Sequence, residues 1–334
     1  MSKKRVLSCI QPTGEIHLGN YFGAIRNWVN IQDQYDCIYG VVDLHAMTMP
    51  YKADELEENT LQMVVDLLVC GIDPDKTILF IQSLVPQHTE LTWIFNCITS
   101  YGELTRMTQF KDKTEQSESN IKGKFISAGL FTYPILQAAD ILIYRANYVP
   151  VGIDQVQHLE LSRNIAVRFN KNYGNYFPEP EPLLTDIPKL VSLADPTKKM
   201  SKSLDEKHYI GLFEEESSIR KKVKSAVTDT GDQQGNKMSP GVENLFNLIK
   251  ACNKEKEHNE LLKQHKAGTL KYKDLKEVTA DALVELTTGF ITRRNEITGD
   301  EKNIKNLAKT LSEKAGDIAA KTIRDVRSLV GLPV

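Results

Sequence analysis

Cysteine is scarce in this chain, and its spacing excludes several kinds of site. The 334 residues include five cysteines, at positions 9, 37, 70, 97 and 252. None forms a Cys-x-x-Cys pair, and no zinc or iron–sulfur ligand spacing is present. An odd number of widely spaced cysteines indicates reduced thiols, and therefore predicts a cytoplasmic protein without a protein-bound structural metal.

A long apolar run and a strong excess of one charge are also missing. The amino-terminal residues Met1–Arg5 lead into an apolar segment of only about five residues, which predicts neither a signal peptide nor a membrane span. With 41% hydrophobic and 26% charged residues, the composition indicates a soluble globular protein. The net charge of -2 gives no global sign of nucleic-acid binding.

Any contact with RNA would therefore depend on local basic groups. Two such groups occur along the chain: Lys198, Lys199 and Lys202, and then Arg220, Lys221, Lys222 and Lys224. From charge alone, a solvated helix face explains the second group better, because Glu214–Glu216 come just before it.

The first part of the chain alternates strand and helix signals. Apolar segments at Val6–Ile10, Cys37–Val42 and Thr77–Gln82 predict buried strands, and the segments between them have helical spacing. Asp54-x-x-Glu57 resembles a helix cap, and Gly71 suits a helix end. This order predicts an α/β fold with a doubly wound, parallel, Rossmann-like sheet, in which ligands bind at the carboxyl ends of the strands.

The later segments follow the same alternation and then change character. Phe131–Tyr144 and Asp154–Tyr173 predict helices, and Tyr148–Val151 predicts a short strand between them. Beyond Ser203 the strand signal disappears and the spacing is helical. We therefore expect two domains, a nucleotide-binding domain over residues 1–205 and a helical domain over residues 206–334.

Two short motifs stand far apart in the chain. Residues 11–20 read QPTGEIHLGN, which predicts a strand end, a turn and a helix start of the kind that holds phosphates. Residues 199–203 read KMSKS, a lysine loop. Each motif alone also fits an ordinary surface loop. Together, on a β/α background without GxGxxG or GxxxxGK[ST], they resemble the two signatures of class I aminoacyl-tRNA synthetases.

The chemistry of such enzymes explains these residue types. Joining a carboxylate to the α-phosphate of ATP brings two anions together and builds charge on the departing pyrophosphate. Gly19 permits close backbone approach, and the helix start offers partial positive charge. The candidate catalytic residues are phosphate-binding donors: His17, Asn20, Lys199 and Lys202.

Longer strings carry a closer resemblance. IQPTGEIHLGNYFGAIRNW, YGVVDLHAMT, YPILQAADILIY and DPTKKMSKS are similar to the bacterial-type tryptophanyl-tRNA synthetase family, and the similarity covers nearly the full chain. The resemblance implies ATP-dependent activation of L-tryptophan to tryptophanyl-adenylate, followed by transfer to tRNA(Trp). It further implies ATP with Mg²⁺ as substrate complex, a homodimer, and carboxyl-terminal helices that bind the tRNA.

The resemblance also implies the site residues. The ATP-binding set is Gln11, Pro12, Thr13, Gly19, Asn20, Gly152, Ile153, Asp154, Leu190, Lys199, Met200, Ser201, Lys202 and Ser203. The tryptophan-binding set is Asp140, Gln137, Tyr133 and His45. Within it, Asp140 would accept the indole N–H, with its charge held by helix amides or by Gln137.

Three sites depart from the family pattern. His17-Leu18 stands where many bacterial relatives have Thr-Ile, which brings this chain closer to the general class I form, and the two others leave alternatives open. Gln137 replaces a common Met, and Ile153 replaces a common Glu. The set Tyr133, Gln137 and Asp140 also resembles the amino-acid pocket of tyrosyl-tRNA synthetases, since these positions share one helix face. A tyrosyl-tRNA synthetase-like enzyme is therefore one alternative. A nucleotidyltransferase that acts without RNA, and a synthetase-like binding protein, are two others.

Overall fold

A computed structural model describes most of the chain. The described residues are 3–107, 127–150, 152, 156–183, 190–202, 204–228, 238–297 and 301–334, without the side chains of residues 156 and 301. Three residues of the expected ATP site, Ile153, Asp154 and Ser203, lie outside them.

Within these residues, five strands form one parallel sheet in the order β3-β2-β1-β4-β5. The strands are β1 (Arg5–Ile10), β2 (Asp36–Val41), β3 (Ile78–Ile81), β4 (Tyr148–Pro150) and β5 (Glu181–Leu183). The chain builds outward from β1 to β3 and then returns to the other side of β1, which creates a switch point between β1 and β4. The predicted parallel, doubly wound sheet is confirmed. Strand β5, inside a proline-rich segment, was not predicted.

Helices surround this sheet and make up the later part of the chain. They are α1 (Leu18–Asn20), α2 (Arg26–Ile31), α3 (Asp43–Ala46), α4 (Ala53–Val69), α5 (Gln87–Asn96), α6 (Tyr101–Leu104), α7 (Ala128–Ile143), α8 (Val156–Tyr173), α9 (Glu216–Ser225), α10 (Pro240–Ala251), α11 (Glu255–Lys266), α12 (Tyr272–Ile297) and α13 (Glu301–Val330). A π-helical segment, Tyr21–Ile25, joins α1 to α2. No helix in the described part of the chain is long and apolar enough to cross a membrane.

The start and the end of α4 test two predictions that were made from neighbouring residues in the sequence. The expected cap at Asp54 is wrong, because α4 begins at Ala53 after Lys52 and no side chain caps it. Asp54 lies inside the first turn, where its carboxylate accepts only from the neighbouring Glu55 N–H. Gly71 does follow the helix end, with φ +104°. Glycine adopts this left-handed conformation without the strain that a Cβ would cause.

Apolar side chains cover both faces of the sheet, and both cores include later helices. On one face, Val6 and Tyr39 belong to a cluster that continues into α10 and α12. On the other face, α13 joins the cluster around β3 and α7. There the hydroxyl of Ser312 accepts from Ile81 N–H at 3.1 Å, and Thr322 Oγ1 donates to the Ile143 carbonyl at 2.7 Å. The domain boundary at residue 205 stays a prediction, and both cores cross it.

Candidate active site

The first motif forms a reciprocal cap at the start of α1. The Asn20 backbone N–H donates to His17 Nδ1 at 3.3 Å, and the His17 backbone N–H donates to Asn20 Oδ1 at 3.3 Å. Burial, and then the charge of Lys202, lowers the pKa of His17 to about 4. At neutral pH the ring is therefore uncharged. Since Nδ1 accepts, the ring proton lies on Nε2, which can donate to a phosphate oxygen.

Gly19 is the point where the two motifs touch. A Cβ added at Gly19 would lie 2.8 Å from His17 Cε1 and 3.5 Å from Met200 Cβ. His17 and Met200 are both predicted site residues, and they belong to the first and the second motif respectively. A larger residue would therefore displace the His17 ring toward the lysine loop or away from Asn20.

Backbone hydrogen bonds attach the first motif to a segment a few residues after KMSKS. Leu18 N–H donates to the Ile210 carbonyl at 2.9 Å, and Leu212 N–H donates to the Ile16 carbonyl at 2.8 Å. These bonds flank an antiparallel bridge between His17 and Gly211. The segment that follows KMSKS is thus attached directly to the segment that carries His17.

The two lysines of the loop occupy different environments. Lys202 Nζ donates to the backbone carbonyl of Glu15, in the turn that Gly14 forms with φ +86°. Burial lowers the pKa of Lys202, and the charges of Glu15 and Asp66 oppose that effect. Lys199 is exposed, and its backbone pairs with Val191. Lys202 therefore already contacts the turn of the first motif, whereas Lys199 is exposed.

The remaining residues of the expected ATP site lie at strand ends or near the lysine loop. Gln11 follows β1 and Gly152 follows β4, so both lie beside the switch point where such sheets bind ligands. Leu190 is buried, at 7% exposure, next to Val191. Val191 is held by Asn244, whose Oδ1 accepts from its N–H at 3.0 Å and whose Nδ2 donates to its carbonyl at 3.0 Å.

Of the expected tryptophan-binding residues, Asp140 is a buried carboxylate and His45 bonds to it directly. Asp140, on α7, is 3% exposed. Its Oδ2 accepts from His45 Nε2 at 2.8 Å. Its Oδ1 accepts from His88 Nδ1 at 2.6 Å and from Gln82 Nε2 at 2.7 Å. Asp140 therefore accepts hydrogen bonds from side chains on three different segments of the chain.

These donors keep Asp140 ionised. Burial alone would raise the pKa of its carboxyl, but the hydrogen bonds from His45 and His88 outweigh burial and lower the pKa to about 2. Hydrogen bonds from His45, His88 and Gln82 thus stabilise the charge of Asp140. Gln137, which the sequence analysis named as one possible partner, is not among these donors. An ionised, buried acceptor suits a ligand group that can only donate, such as an indole N–H.

Tyr133 and Gln137 lie on the same helix as Asp140. Tyr133 is buried at 5% exposure, its hydroxyl lies 2.9 Å from His158 Nε2, and its ring lies 6.3 Å from that of His45. Gln137 is half-buried, one turn before Asp140. Tyr133 thus forms part of the wall of the cluster through His45 and His158.

The sequence analysis did not identify three polar residues of this cluster: Gln82, His88 and Tyr144. Gln82 marked only the end of a predicted strand. His88 stands in the string VPQHTEL with no partner near it in sequence. No specific signal in the sequence marked this histidine, which becomes informative only when its neighbours in space are known.

Asp43 has a different role from its neighbour His45. Both follow β2 and both are buried, at 9% and 5% exposure. Asp43 accepts from the Ser83 backbone N–H at 3.0 Å and from the Ser83 hydroxyl. It therefore connects the end of β2 to the end of β3. Of Asp43 and His45, only His45 bonds to Asp140.

A doubly wound parallel sheet with an HLGN turn after its first strand, and a KMSKS loop packed on that turn, defines a class I aminoacyl-tRNA synthetase. The family of class I tRNA synthetases for W and Y matches residues 2–288. The chain belongs to this family.

Individual relatives cover nearly the whole chain. It is 44% identical to the tryptophan–tRNA ligase of Clostridium acetobutylicum, over 99% of this chain and 97% of that one. It is 42% identical to the enzyme of the same name from Caldanaerobacter subterraneus, over 98% of each chain. A crystal structure of Campylobacter jejuni tryptophanyl-tRNA synthetase with ADP and tryptophan matches with a TM-score of 0.85 and 32% identity, covering 98% of this chain and all of that one.

Proposed function

We propose that this protein is a tryptophan–tRNA ligase, which activates L-tryptophan with ATP and transfers it to tRNA(Trp). The observation that carries the proposal is the contact of Lys202 with the Glu15 carbonyl, because it unites the two phosphate-binding motifs in one site. The choice of tryptophan over tyrosine rests on relatives that are 42% and 44% identical over nearly the full chain and bear the tryptophan name.

In the first step, a carboxylate oxygen of tryptophan attacks the α-phosphorus of ATP. The bond from that phosphorus to the bridging oxygen breaks, and pyrophosphate leaves. The Nε2–H of neutral His17 and the amides at the start of α1 donate to phosphate oxygens. Lys202 moves from the Glu15 carbonyl to the departing phosphates, where its charge matters most.

In the second step, a hydroxyl of the terminal ribose of the tRNA attacks the carbonyl carbon of tryptophanyl-adenylate. AMP leaves, and no covalent enzyme intermediate forms. ATP would bind as its Mg²⁺ complex, and the metal would offset negative charge on the phosphates. In the part of the chain that the structure describes, no group of three or more His, Cys, Asp or Glu side chains is arranged to hold a metal ion.

Amino-acid recognition is proposed to depend on Asp140, with Tyr133, Gln137 and His45 around it. The indole nitrogen is a donor only, and Asp140 is an ionised acceptor whose pKa is about 2. Losing a charge-assisted hydrogen bond of this kind costs on the order of 2–3 kcal/mol. Tryptophan should therefore be preferred strongly over phenylalanine, which lacks a donor.

The carboxyl-terminal half, residues 206–334, is proposed to bind the tRNA. Its helices carry the second basic group, and Arg294 on α12 lies 3.4 Å from Glu15 in the phosphate-binding turn. This contact would link RNA binding to the site of adenylate formation.

The protein is also proposed to act as a cytoplasmic homodimer. Trp93 on α5 and Tyr101 on α6 are 71% and 74% exposed, and the ring of Tyr101 lies 5.5 Å from that of Phe131. Exposed aromatic side chains of this size are typical of protein interfaces. The cytoplasmic location is supported by the free thiols of all five cysteines.

ATP–pyrophosphate exchange tests the proposal directly. L-tryptophan should stimulate exchange, with little response to tyrosine or phenylalanine, and the charged product should appear when tRNA(Trp) is added. Equal stimulation by tyrosine would contradict the tryptophan assignment. Exchange without any tRNA charging would favour a nucleotidyltransferase that acts without RNA.

A further inference from the structure

The two oxygens of the Asp140 carboxylate are used unequally. Oδ1 accepts from His88 at 2.6 Å and from Gln82 at 2.7 Å, whereas Oδ2 accepts from His45 at 2.8 Å. Two carboxylate oxygens offer about four acceptor sites in all. Counting donors from the described residues, Oδ1 is saturated and Oδ2 keeps one acceptor site.

This asymmetry decides which oxygen is available to a ligand. Oδ1 is bound to residues of the interior, since Gln82 and His88 are both 0% exposed. Oδ2 lies beside His45, which is 5% exposed and whose ring lies 6.3 Å from that of Tyr133, a residue expected at the amino-acid pocket. The remaining acceptor site therefore belongs to the oxygen on the ligand side.

His88 is itself held on both sides. Its Nε2 lies 2.8 Å from the Tyr144 hydroxyl, and the ring of Phe80 stacks on it at 5.4 Å with an angle of 19°. Tyr144 is fully buried, and burial raises the pKa of its phenol, so the hydroxyl keeps its proton. The hydroxyl can then donate to Nε2, which leaves the ring proton on Nδ1 to face Asp140.

We propose that His88 is a positioning residue for the amino-acid pocket. Tyr144 orients the His88 ring, and His88 and Gln82 both donate to Oδ1 of Asp140. Oδ2 is then the oxygen that accepts from the indole N–H. This inference rests on the proposed function and adds the residues that set its selectivity. His88 touches neither substrate, and it acts only through Asp140.

Two substitutions separate its two contacts. In His88→Asn the side-chain amide nitrogen takes the place of Nδ1, so the donor to Asp140 remains and the Tyr144 contact is lost. In His88→Gln the amide reaches the place of Nε2, so the Tyr144 contact remains and the donor to Asp140 is lost. The two variants are similar in polarity and differ in which partner they keep.

The test measures pyrophosphate exchange with L-tryptophan and with an analogue whose ring N–H is replaced by sulfur. For His88→Gln we expect the preference for tryptophan over the analogue to fall about tenfold. The KM for tryptophan should rise and the KM for ATP should stay unchanged. For His88→Asn we expect a preference within about threefold of that of the parent protein, because the donor is kept.

Several results would overturn the inference. One is a parent-like preference in His88→Gln. Another is an equal loss of preference in both variants, which would indicate a packing role. If His88→Gln does not fold, His88→Phe decides, because it keeps a ring stacked on Phe80 and removes the donor to Asp140. A reduced preference then supports the inference, and a parent-like preference rejects it. If the parent itself shows no tryptophan-dependent exchange, the proposed function fails, which is a separate outcome.

Discussion

Arg294 Nε lies 3.3 Å from Oδ1 of Asp66, a carboxylate that is only 1% exposed. This pair joins α12, in the second half of the chain, to α4 beside the sheet. The guanidinium of Arg294 also lies 4.1 Å from the centre of the Phe213 ring, and its NH1 lies 3.4 Å from Glu15 Oε1. One side chain thus connects the helical half to the turn on which Lys202 rests.

The Asp66 carboxyl should make stability depend on pH. Burial, opposed by the charge of Arg294, raises its pKa from 3.8 to about 6. Because the folded pKa is the higher one, the stability that Asp66 contributes is fully present below pH 3.8 and is lost as pH rises through 6. Asp66→Asn removes the titrating group. Between pH 3.8 and 6, the free energy of unfolding of the variant relative to that of the parent should therefore rise by on the order of 3 kcal/mol.

Urea denaturation of both proteins from about pH 4 to about pH 7 measures this difference. His17, whose pKa is lowered to about 4, makes stability rise with pH instead. It is present in both proteins, so its effect cancels in the comparison. A difference that stays constant across the window would contradict the prediction.

Lys202→Ala should slow adenylate formation far more than it weakens tryptophan binding. In the proposed mechanism the ammonium group acts on the phosphates as pyrophosphate leaves, and one placed electrostatic donor contributes about 3 kcal/mol, or on the order of 100-fold in rate. Single-turnover measurement of adenylate formation gives the rate. Lys221→Ala, an exposed lysine on α9, is the matched control and should leave this step unchanged. An unaltered rate in Lys202→Ala, with only tRNA affinity reduced, would make the loop an RNA contact.

Gly19→Ala should impair the phosphate site, and Gly23→Ala should not. At Gly19 the new methyl group would lie 2.8 Å from the His17 ring, whereas at Gly23 it meets nothing within 4 Å. A displaced donor of this kind lowers the rate of adenylate formation by on the order of 10- to 100-fold. Gly23→Ala should keep the parent rate and gain about 0.5–1 kcal/mol of stability. Equal activity of the two variants would show that His17 tolerates the added methyl group.

Affinity for tRNA should fall as salt concentration rises, because phosphate contacts release counterions. Within the second basic group, Arg220 already binds Glu216 and Asp281, and Lys222 binds Glu214 at 2.7 Å. Lys221 and Lys224 are exposed and are the better candidates for RNA contact.

The double substitution Lys221→Ala and Lys224→Ala should therefore weaken tRNA binding and reduce the salt slope by about 1–2. Arg220→Ala, which removes a residue already paired with carboxylates, is the control and should change the slope less. A filter-binding titration at several salt concentrations provides both values. Affinity that does not depend on salt would mean that phosphate contacts are not the main contribution.

Local signals in the sequence were sufficient for the strands β1, β2, β3 and β4, for the helix end at Gly71, and for recognising the HLGN and KMSKS motifs. Each depends on a few neighbouring residues, so periodicity and turn chemistry predict it. The same signals failed at Asp54, where α4 begins one residue before the expected cap. They also missed β5, whose Pro182 pairs with Val149 at the edge of the sheet, a position that proline tolerates.

The sequence by itself therefore determined the parallel α/β fold, the succession of strands β1 to β4 along the chain and the class of chemistry. Only the tertiary structure decided which side chains act together. Asp140 meets His45 across 95 positions of the chain and His88 across 52, and Lys202 reaches Glu15 across 187. Such contacts depend on strand order and on how helices cross the sheet. These long-range relationships leave no trace in the spacing of neighbouring residues.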